Sequence, residues 1–445
     1  MPNLVVSRAL TRPAVPYCIV LLFVFRMALA NAIVPPWQNP DEPTHFAFTR
    51  MLVLDAGGAD PSVSRAVVQR EILESMAEHG WWDAYDEQVP SPFPISFDEV
   101  PEHLNLGSIP EFDFYYRLAS AFVFATGTRS LMSQYSVLRL LSGVLAVATL
   151  WCVWAGTTRL MGDEVGIGAA ALLALHPQFA LIGLGVGPDV MVNLCGAVVW
   201  WQFSRLITGG TVTLSLAGMF VATGVGVLSK RAFIPWFLVT PLLSSVGVAM
   251  RTEWDTIWHR YTRRQFWIAS IVIVALLVVV ALASQERLLN TISAVLSSRT
   301  PLPGSFVPFT LGLLDTAWLA GGWLRFMGPS AWYMAVRGLL LLATLGLLRE
   351  CAAHAGCRRR AIFLAAVVVG IQVGAVYFDV YGRGVGPQGR YLFPAIGPVV
   401  ALIWVGLLSP WPPRMKSYVG VTVIALMATL DIAAWTLVIL PAYLH

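Results

Sequence analysis

Apolar residues fall along the chain in blocks of about 20, the length a helix needs to cross a lipid bilayer, separated by short polar stretches. The blocks predict eleven spans, at roughly 15–34, 133–157, 164–183, 188–207, 211–229, 232–250, 266–284, 330–348, 361–378, 391–408 and 418–440. The pattern breaks twice. Residues 35–130 are too polar to span and hold fifteen of the chain's twenty-five acids. Inside that segment, Val68, Ile72 and Met76 recur at helical spacing between Ser64, a capping residue, and Gly80, a stop. Trp81 to Pro110 is rich in proline and acids and predicts irregular chain. Asp113–Gly127 puts Tyr115, Leu118, Ala119 and Phe122 on one face. It is too short to cross, so an amphipathic helix on the outer leaflet is expected. The second break, Phe309–Met327, carries Asp315, Gly321, Gly322 and Arg325, and with Trp318, Trp323 and the following Trp332 it predicts a segment resting at the outer interface.

Orientation follows from the bias of short loops toward Lys and Arg on the cytoplasmic side. Arg251, Arg260, Arg263 and Arg264 mark one such loop, Arg349 and Arg358 to Arg360 another, Arg414 and Lys416 a third. Counting crossings back from them puts the acidic segment outside, provided Asp113–Gly127 does not cross. Arg8 and Arg12 precede the first block without a small-residue cleavage site, which predicts an uncleaved first span.

Composition narrows the class further. The chain is 57% hydrophobic and 12% charged, with mean hydropathy +0.69, against about 25% charged residues in soluble domains. An all-α polytopic membrane protein is the expectation. The net charge of +4 is dispersed in short clusters between apolar blocks, which sets nucleic acid aside. Cys18, Cys152, Cys195, Cys351 and Cys357 lack the paired spacing of a disulfide framework or zinc site.

Candidate chemistry concentrates at the outer ends of the spans. Pro35 to Phe46 places Asp41, Glu42 and His45 within one helical turn just after the first span, in a stretch stiffened by four prolines. Pro43 suits the first turn of a helix over Thr44–Leu54, so either acid could be only a cap. A helix needs one cap, however, and three polar groups are supplied. Gly183 to Asn193 brings Asp189 and Asn193 one turn apart at the edge of a span, where ionisable residues are functional candidates by default and where Asp189 could equally be an N-cap. Arg390, after Gln388 and before Tyr391, opens the tenth span with a planar fork suited to phosphate or carboxylate. Lys230 and Arg231 lie at the outer end of the fifth span, against the usual bias, and an anionic lipid headgroup or simple snorkelling would account for them. Arg26 and Arg337 lie within apolar blocks, where burial requires a partner or an interface. His176, before Pro177, reads as a hydrogen-bonded packing group within the third span.

Four stretches, PPWQNPDEPTHF, LHPQFALIGLGVGPDVMVN, GVGVLSK and QGRYLFPAIGP, resemble in order the bacterial membrane family known as domain of unknown function 2142, which is grouped with the GT-C glycosyltransferases. The resemblance implies a single GT-C-like transmembrane domain over 1–445, with residues 35–130 as a large helical outer loop. It implies a catalytic Asp in the first outer loop and a sugar donor on a polyprenyl phosphate or pyrophosphate. The acceptor would be a glycan, lipid or protein of the cell envelope, at the outer face of a bacterial cytoplasmic membrane. Asp41 with Glu42 matches the first-loop motif. Asp189 with Asn193 is similar to the second-loop acidic position, although Gly187 and Pro188 stand where the family pattern carries two Asn.

Joined to that resemblance, the residues suggest an inverting transfer in which Asp41 is general base. Arg390 with Lys230 or Arg231 would take the phosphate, beside Gln388 and Tyr391. Glu42 and His45 would orient Asp41 or, with it, hold a divalent metal ion, which the scheme does not require. The alternative is a non-catalytic transporter or accessory subunit that binds lipid phosphate with the same cations.

Overall fold

The computed structural model describes residues 14–56, 58, 61–84, 87–100, 106, 112–251, 306–353, 357–381 and 386–443. The expected span 266–284 and Arg260, Arg263 and Arg264 lie outside the described residues. Within them the chain is a polytopic membrane protein built of helices, with one short two-stranded hairpin. Nine helices are long and apolar enough to cross a bilayer, or ten if one bent pair is a single span. The long apolar helices leave Leu21, Phe25, Leu341, Leu348 and Phe363 facing outward, an exterior suited to lipid rather than water.

The first span, α1 (Ala14–Ile33), ends at the proline-rich loop. Three helices then form a cap at that end: α2 (Glu42–Ala56), α3 (Pro61–Glu78) and α4 (Phe114–Thr126). Helix α3 buries Val68, Ile72, Leu73 and Met76, as the spacing predicted. It starts at Pro61 rather than Ser64, because proline at a first helical position needs no amide donor. Helix α4 has 13 residues, too few to span, and its buried face keeps Tyr115 and Ala119 of the expected one but is turned away from the other two. Tyr115, Tyr116, Ala119 and Val123 turn inward against the protein while Leu118 and Phe122 are exposed.

The loop between α1 and α2 is pinned by Trp37, which is fully buried. Its indole nitrogen donates to Ser75 Oγ at 3.2 Å, its backbone amide donates to the Tyr135 hydroxyl at 3.1 Å, and its carbonyl accepts from Trp81 Nε1 at 3.0 Å. The cap and the start of the next span, α5 (Leu131–Met161), are thereby tied to one residue.

The predicted third span is broken. Helices α6 (Asp163–Ala174) and α7 (Pro177–Leu184) meet at a bend of 63°. Pro177 has no amide proton and pushes its predecessor out of helical geometry, and His176 is extended, with Nδ1 accepting from the Phe179 amide at 3.3 Å. Its ring stacks on Trp318, centroids 4.4 Å apart, so His176 packs as expected, at a break rather than mid-helix. The freed Ala174 carbonyl accepts from Arg26, which also pairs with Asp431. Arg337 likewise pairs with Asp315, Nε to Oδ1 3.0 Å. Both intramembrane arginines are therefore partnered.

Next come α8 (Asp189–Ile207), α9 (Val212–Ser229) and α10 (Trp236–Arg251). After the undescribed stretch, α11 (Phe306–Trp318) leads into a two-stranded hairpin, Ala320–Gly321 with Phe326–Met327. The tryptophans of this region were expected at a lipid interface, but protein contacts hold them. Trp318 lies on His176, Trp323 Nε1 donates to the Trp37 carbonyl at 3.3 Å, and Trp332 Nε1 donates to the Leu430 carbonyl at 2.9 Å. Helices α12 (Ser330–Ala353), α13 (Cys357–Val376), α14 (Ile396–Leu408) and α15 (Pro413–Ala434) complete the bundle. Helices α12 and α14 cross on glycine: a Cβ on Gly346 would lie 1.8 Å from the Gly406 carbonyl oxygen.

The loops at the far end carry the basic residues. Arg251 bonds the Leu206 and Gly210 carbonyls, and Arg349 bonds the Pro410 carbonyl at 2.6 Å. The Arg251 contacts sit at the opposite ends of α8 and α9 from Asp189 and Lys230, and the Arg349 contact follows the end of α14 opposite Arg390. Removing one partner of a buried ion pair leaves a bare charge, so Arg26→Met is expected to cost about 3 kcal/mol. The double variant Arg26→Met, Asp431→Leu should recover part of that loss. Thermal unfolding in detergent of wild type and both variants checks this.

Candidate functional site

Four charged residues from four separate segments meet at the capped end of the bundle. The Arg390 guanidinium is the centre: Nη2 donates to Asp41 Oδ2 at 2.6 Å, Nη1 to Asp189 Oδ2 at 3.4 Å, and Nε to Gln388 Oε1 at 2.9 Å. Lys230 Nζ donates to Asp189 Oδ1 at 2.6 Å. Tyr391 offers its ring to both cations, each 5.4 Å from the centroid. Two carboxylates and two cations balance in charge, which is what allows them to be gathered in a poorly hydrated place.

Local structure explains each position. Asp41 sits at φ +62°, a left-handed conformation that a short polar residue tolerates better than most. Its carbonyl accepts from the His45 amide at 3.0 Å and so starts α2, while its carboxylate reaches Arg390. The side chain thus turns to the cluster rather than capping the helix. Asp189 also escapes the capping role, because Pro188 is the N-cap of α8 and Asp189 bonds only cations. Arg390 lies in a 3-10 turn, Gly389–Ala395. There Gly389 has its backbone against Ala317, with its amide donating to Thr316 Oγ1 at 2.9 Å.

The adjacent acids Asp41 and Glu42 have different surroundings. The Asp41 side chain keeps 31% of its surface exposed, whereas Glu42 keeps none. Glu42 accepts from Arg139 Nε at 3.4 Å, from the Val186 amide at 3.1 Å and from the Asn39 amide at 3.4 Å. Arg139 also donates to the Val34 and Pro35 carbonyls at 2.8 and 2.9 Å. Glu42 therefore faces away from the cluster, and the suggested ligand set Asp41, Glu42 and His45 does not converge. Among the described residues no group of three His, Cys, Asp or Glu is placed to hold a metal ion. Arg231, next to Lys230 in the chain, pairs with Asp379.

His45 completes the near wall. Its Nδ1 is 2.7 Å from the Tyr116 hydroxyl. Gly187 makes room for the ring, since a Cβ there would lie 2.8 Å from His45 Cδ2. The Gly187 amide donates to the Tyr115 hydroxyl at 3.1 Å, and Ser142 Oγ donates to the Gly185 carbonyl at 2.9 Å. The loop where the family pattern would carry two Asn is thus held by its backbone. Asn193, one turn beyond Asp189, is buried.

Sequence reasoning did not single out Arg139 or Tyr116, and it placed Tyr115 only on the apolar face of a short helix. Arg139 carried a usable signal, since it is an arginine inside an apolar block like Arg26. The tyrosines had none, because aromatic residues on an amphipathic face look like ordinary packing.

Burial alone would raise the Asp41 carboxyl, but Arg390, helped by His45 and Lys230, holds it down at about 2. The His45 imidazole is lowered to about 4, chiefly by burial; Lys230 and Arg390 push the same way, and Asp41 and Asp189 oppose.

No family model matches the chain, and no curated protein is a significant match. The family resemblance therefore stands on the four motifs. Among solved structures the chain is similar to ArnT from Cupriavidus metallidurans bound to undecaprenyl phosphate, at TM-score 0.49 and 15% identity, over 92% of this chain and 63% of that one. It is also similar to the oligosaccharyltransferase of Archaeoglobus fulgidus in the apo form, at TM-score 0.48 and 14% identity, over 97% of this chain and 55% of that one. It spans less than two thirds of either.

Two outcomes follow from this geometry. Folding lowers the affinity of His45 for a proton, so the unfolded chain binds more protons between pH 6.5 and about 4, and stability falls as pH drops through that window. Asp41 contributes the same sign lower down, between 3.8 and about 2. Melting temperatures of wild type and His45→Gln across pH 4–7 should show a shallower slope in the variant; equal slopes would count against the buried neutral imidazole. Arg139→Met should strand Glu42 and loosen both loops, at a cost of about 3 kcal/mol. Limited proteolysis within residues 35–130 should speed up in that variant.

Proposed function

We propose that the chain is a membrane glycosyltransferase that moves a sugar from a polyprenyl-phosphate donor to a cell-envelope acceptor at the outer face of a bacterial cytoplasmic membrane. The observation that carries this reading is the meeting of Asp41, Asp189, Lys230 and Arg390 at one end of the bundle. Two fixed cations beside a partly open carboxylate match what the reaction needs. The bond from anomeric carbon to phosphate oxygen breaks with its electron pair leaving on phosphate, so negative charge develops where cations are fixed. The acceptor hydroxyl attacks the opposite face of the carbon, and its proton passes to a base. Asp41 is the base, because it alone of the three acids is appreciably open to a substrate. The basic loops at the far end of the bundle, at Arg251, Arg349, Arg414 and Lys416, favour placing the cluster outside.

At rest Asp41 is a weak base, since Arg390 holds its carboxyl at about 2. A donor phosphate that draws Arg390 toward itself weakens that hold and makes Asp41 more basic. Glu42 and Arg139 position the loop, and Asp189 keeps Lys230 and Arg390 aligned. The same ion pairing also favours a second reading, in which Asp41 only locks the cations that a transporter or accessory subunit uses to hold lipid phosphate.

The two readings part on Asp41→Asn. Transfer from radiolabelled polyprenyl-phosphate sugars by purified protein should drop by about 10²–10⁴-fold, the usual contribution of a positioned base, with binding of undecaprenyl phosphate retained. Full transfer by Asp41→Asn would sink the base assignment, and binding without transfer in wild type would favour the transporter reading. Arg390→Lys, which loses the fork, should weaken lipid-phosphate binding by about tenfold.

A further inference from the structure

Beside the ion cluster two enclosed polar atoms have no partner among the described residues, Nε2 of His45 and Oδ1 of Asn193. Folded proteins leave few such atoms bare, and each asks for a ligand, a water or a functional reason. The His45 ring cannot turn to satisfy Nε2 without giving up the 2.7 Å contact of Nδ1 with Tyr116. Gly187 packs against the Nε2 edge, where a Cβ would lie 3.4 Å from that nitrogen. Asn193 is 2% exposed, and it follows Asp189 by four residues in α8, which puts both on one helical face. The two residues therefore approach Asp189 from two different elements, Asn193 along α8 and His45 from α2.

Neither group is suited to phosphate. Arg390 and Lys230 already supply positive charge, whereas an amide and a neutral imidazole match uncharged groups that both give and take hydrogen bonds. Hydroxyls of a sugar have that character. We propose that His45 Nε2 and the Asn193 side-chain amide bind the hydroxyl groups of the donor's sugar, in a subsite separate from the cations that hold its phosphate. This rests on the glycosyl-transfer reading above. A site built to pair with hydroxyls discriminates strongly against a ligand lacking them, so these two residues select which lipid-linked sugar is accepted.

The test uses the full chain in nanodiscs with two kinds of probe, undecaprenyl phosphate and a panel of undecaprenyl-phosphate-linked hexoses and pentoses. Wild type should bind at least one sugar-bearing lipid about tenfold more tightly than the sugar-free lipid. His45→Phe and Asn193→Leu keep side-chain volume and remove the hydrogen bonds, and each should bring that ratio close to one while still binding the sugar-free lipid. Retained preference in both variants overturns the subsite, as does wild-type binding of undecaprenyl phosphate with no preference for any sugar; the bare atoms are then served by water. A variant that loses both probes marks its residue as structural and overturns its assignment. Failure of wild type to bind any of the lipids overturns the glycosyl-transfer reading itself.

Discussion

The arrangement of the capped end of the bundle depends on one guanidinium. Arg390 is the group through which a carboxylate from the loop after the first span and a carboxylate from the start of α8 reach each other. Either acid alone in so enclosed a place would carry a large desolvation penalty, and each needs a cation within hydrogen-bond distance. Lys230 supplies the fourth charge, and the cluster becomes neutral. A planar fork serves two carboxylates and Gln388 at once in fixed directions, which the rotatable donors of an ammonium do not hold.

Beneath that layer a second ion pair performs a different task. Glu42 and Arg139 are both enclosed, and they gather backbone groups from the first loop and from the loop before α8. Adjacent residues in the sequence thus divide the work. The buried acid saturates the main chain of the two loops, and the more open acid turns to Arg390. The positive φ at Asp41 follows from this division, since the chain must turn sharply for neighbouring side chains to point to different places.

Irregular backbone within a membrane bundle is tolerated only where protein satisfies it. The break between α6 and α7 obeys that rule. His176 caps the new helix, and Arg26 takes the Ala174 carbonyl that the break leaves free. The intramembrane ion pair of Arg26 with Asp431 is therefore a consequence of the break, and it ties the first span to the last.

Much of this was legible in the chain. Among the described residues nine of the expected spans recur as helices long and apolar enough to cross, ten with the bent pair taken as one, because lipid imposes a length and a composition that local sequence cannot hide. Asp41, Asp189, Lys230 and Arg390 were legible one by one, since each is charged at the edge of an apolar block, where charge needs a reason. What only the tertiary structure decided was which of them meet. Pairing depends on distances between segments 41 to 349 residues apart, and no local pattern records those. Hence Arg231 was grouped with the cluster yet pairs with Asp379, Glu42 was taken with Asp41 yet turns to Arg139, and the tyrosines that steady His45 and Gly187 resembled packing. Local sequence determined which elements form and which residues are out of place in lipid; the packing of helices against one another decided where those charges are answered.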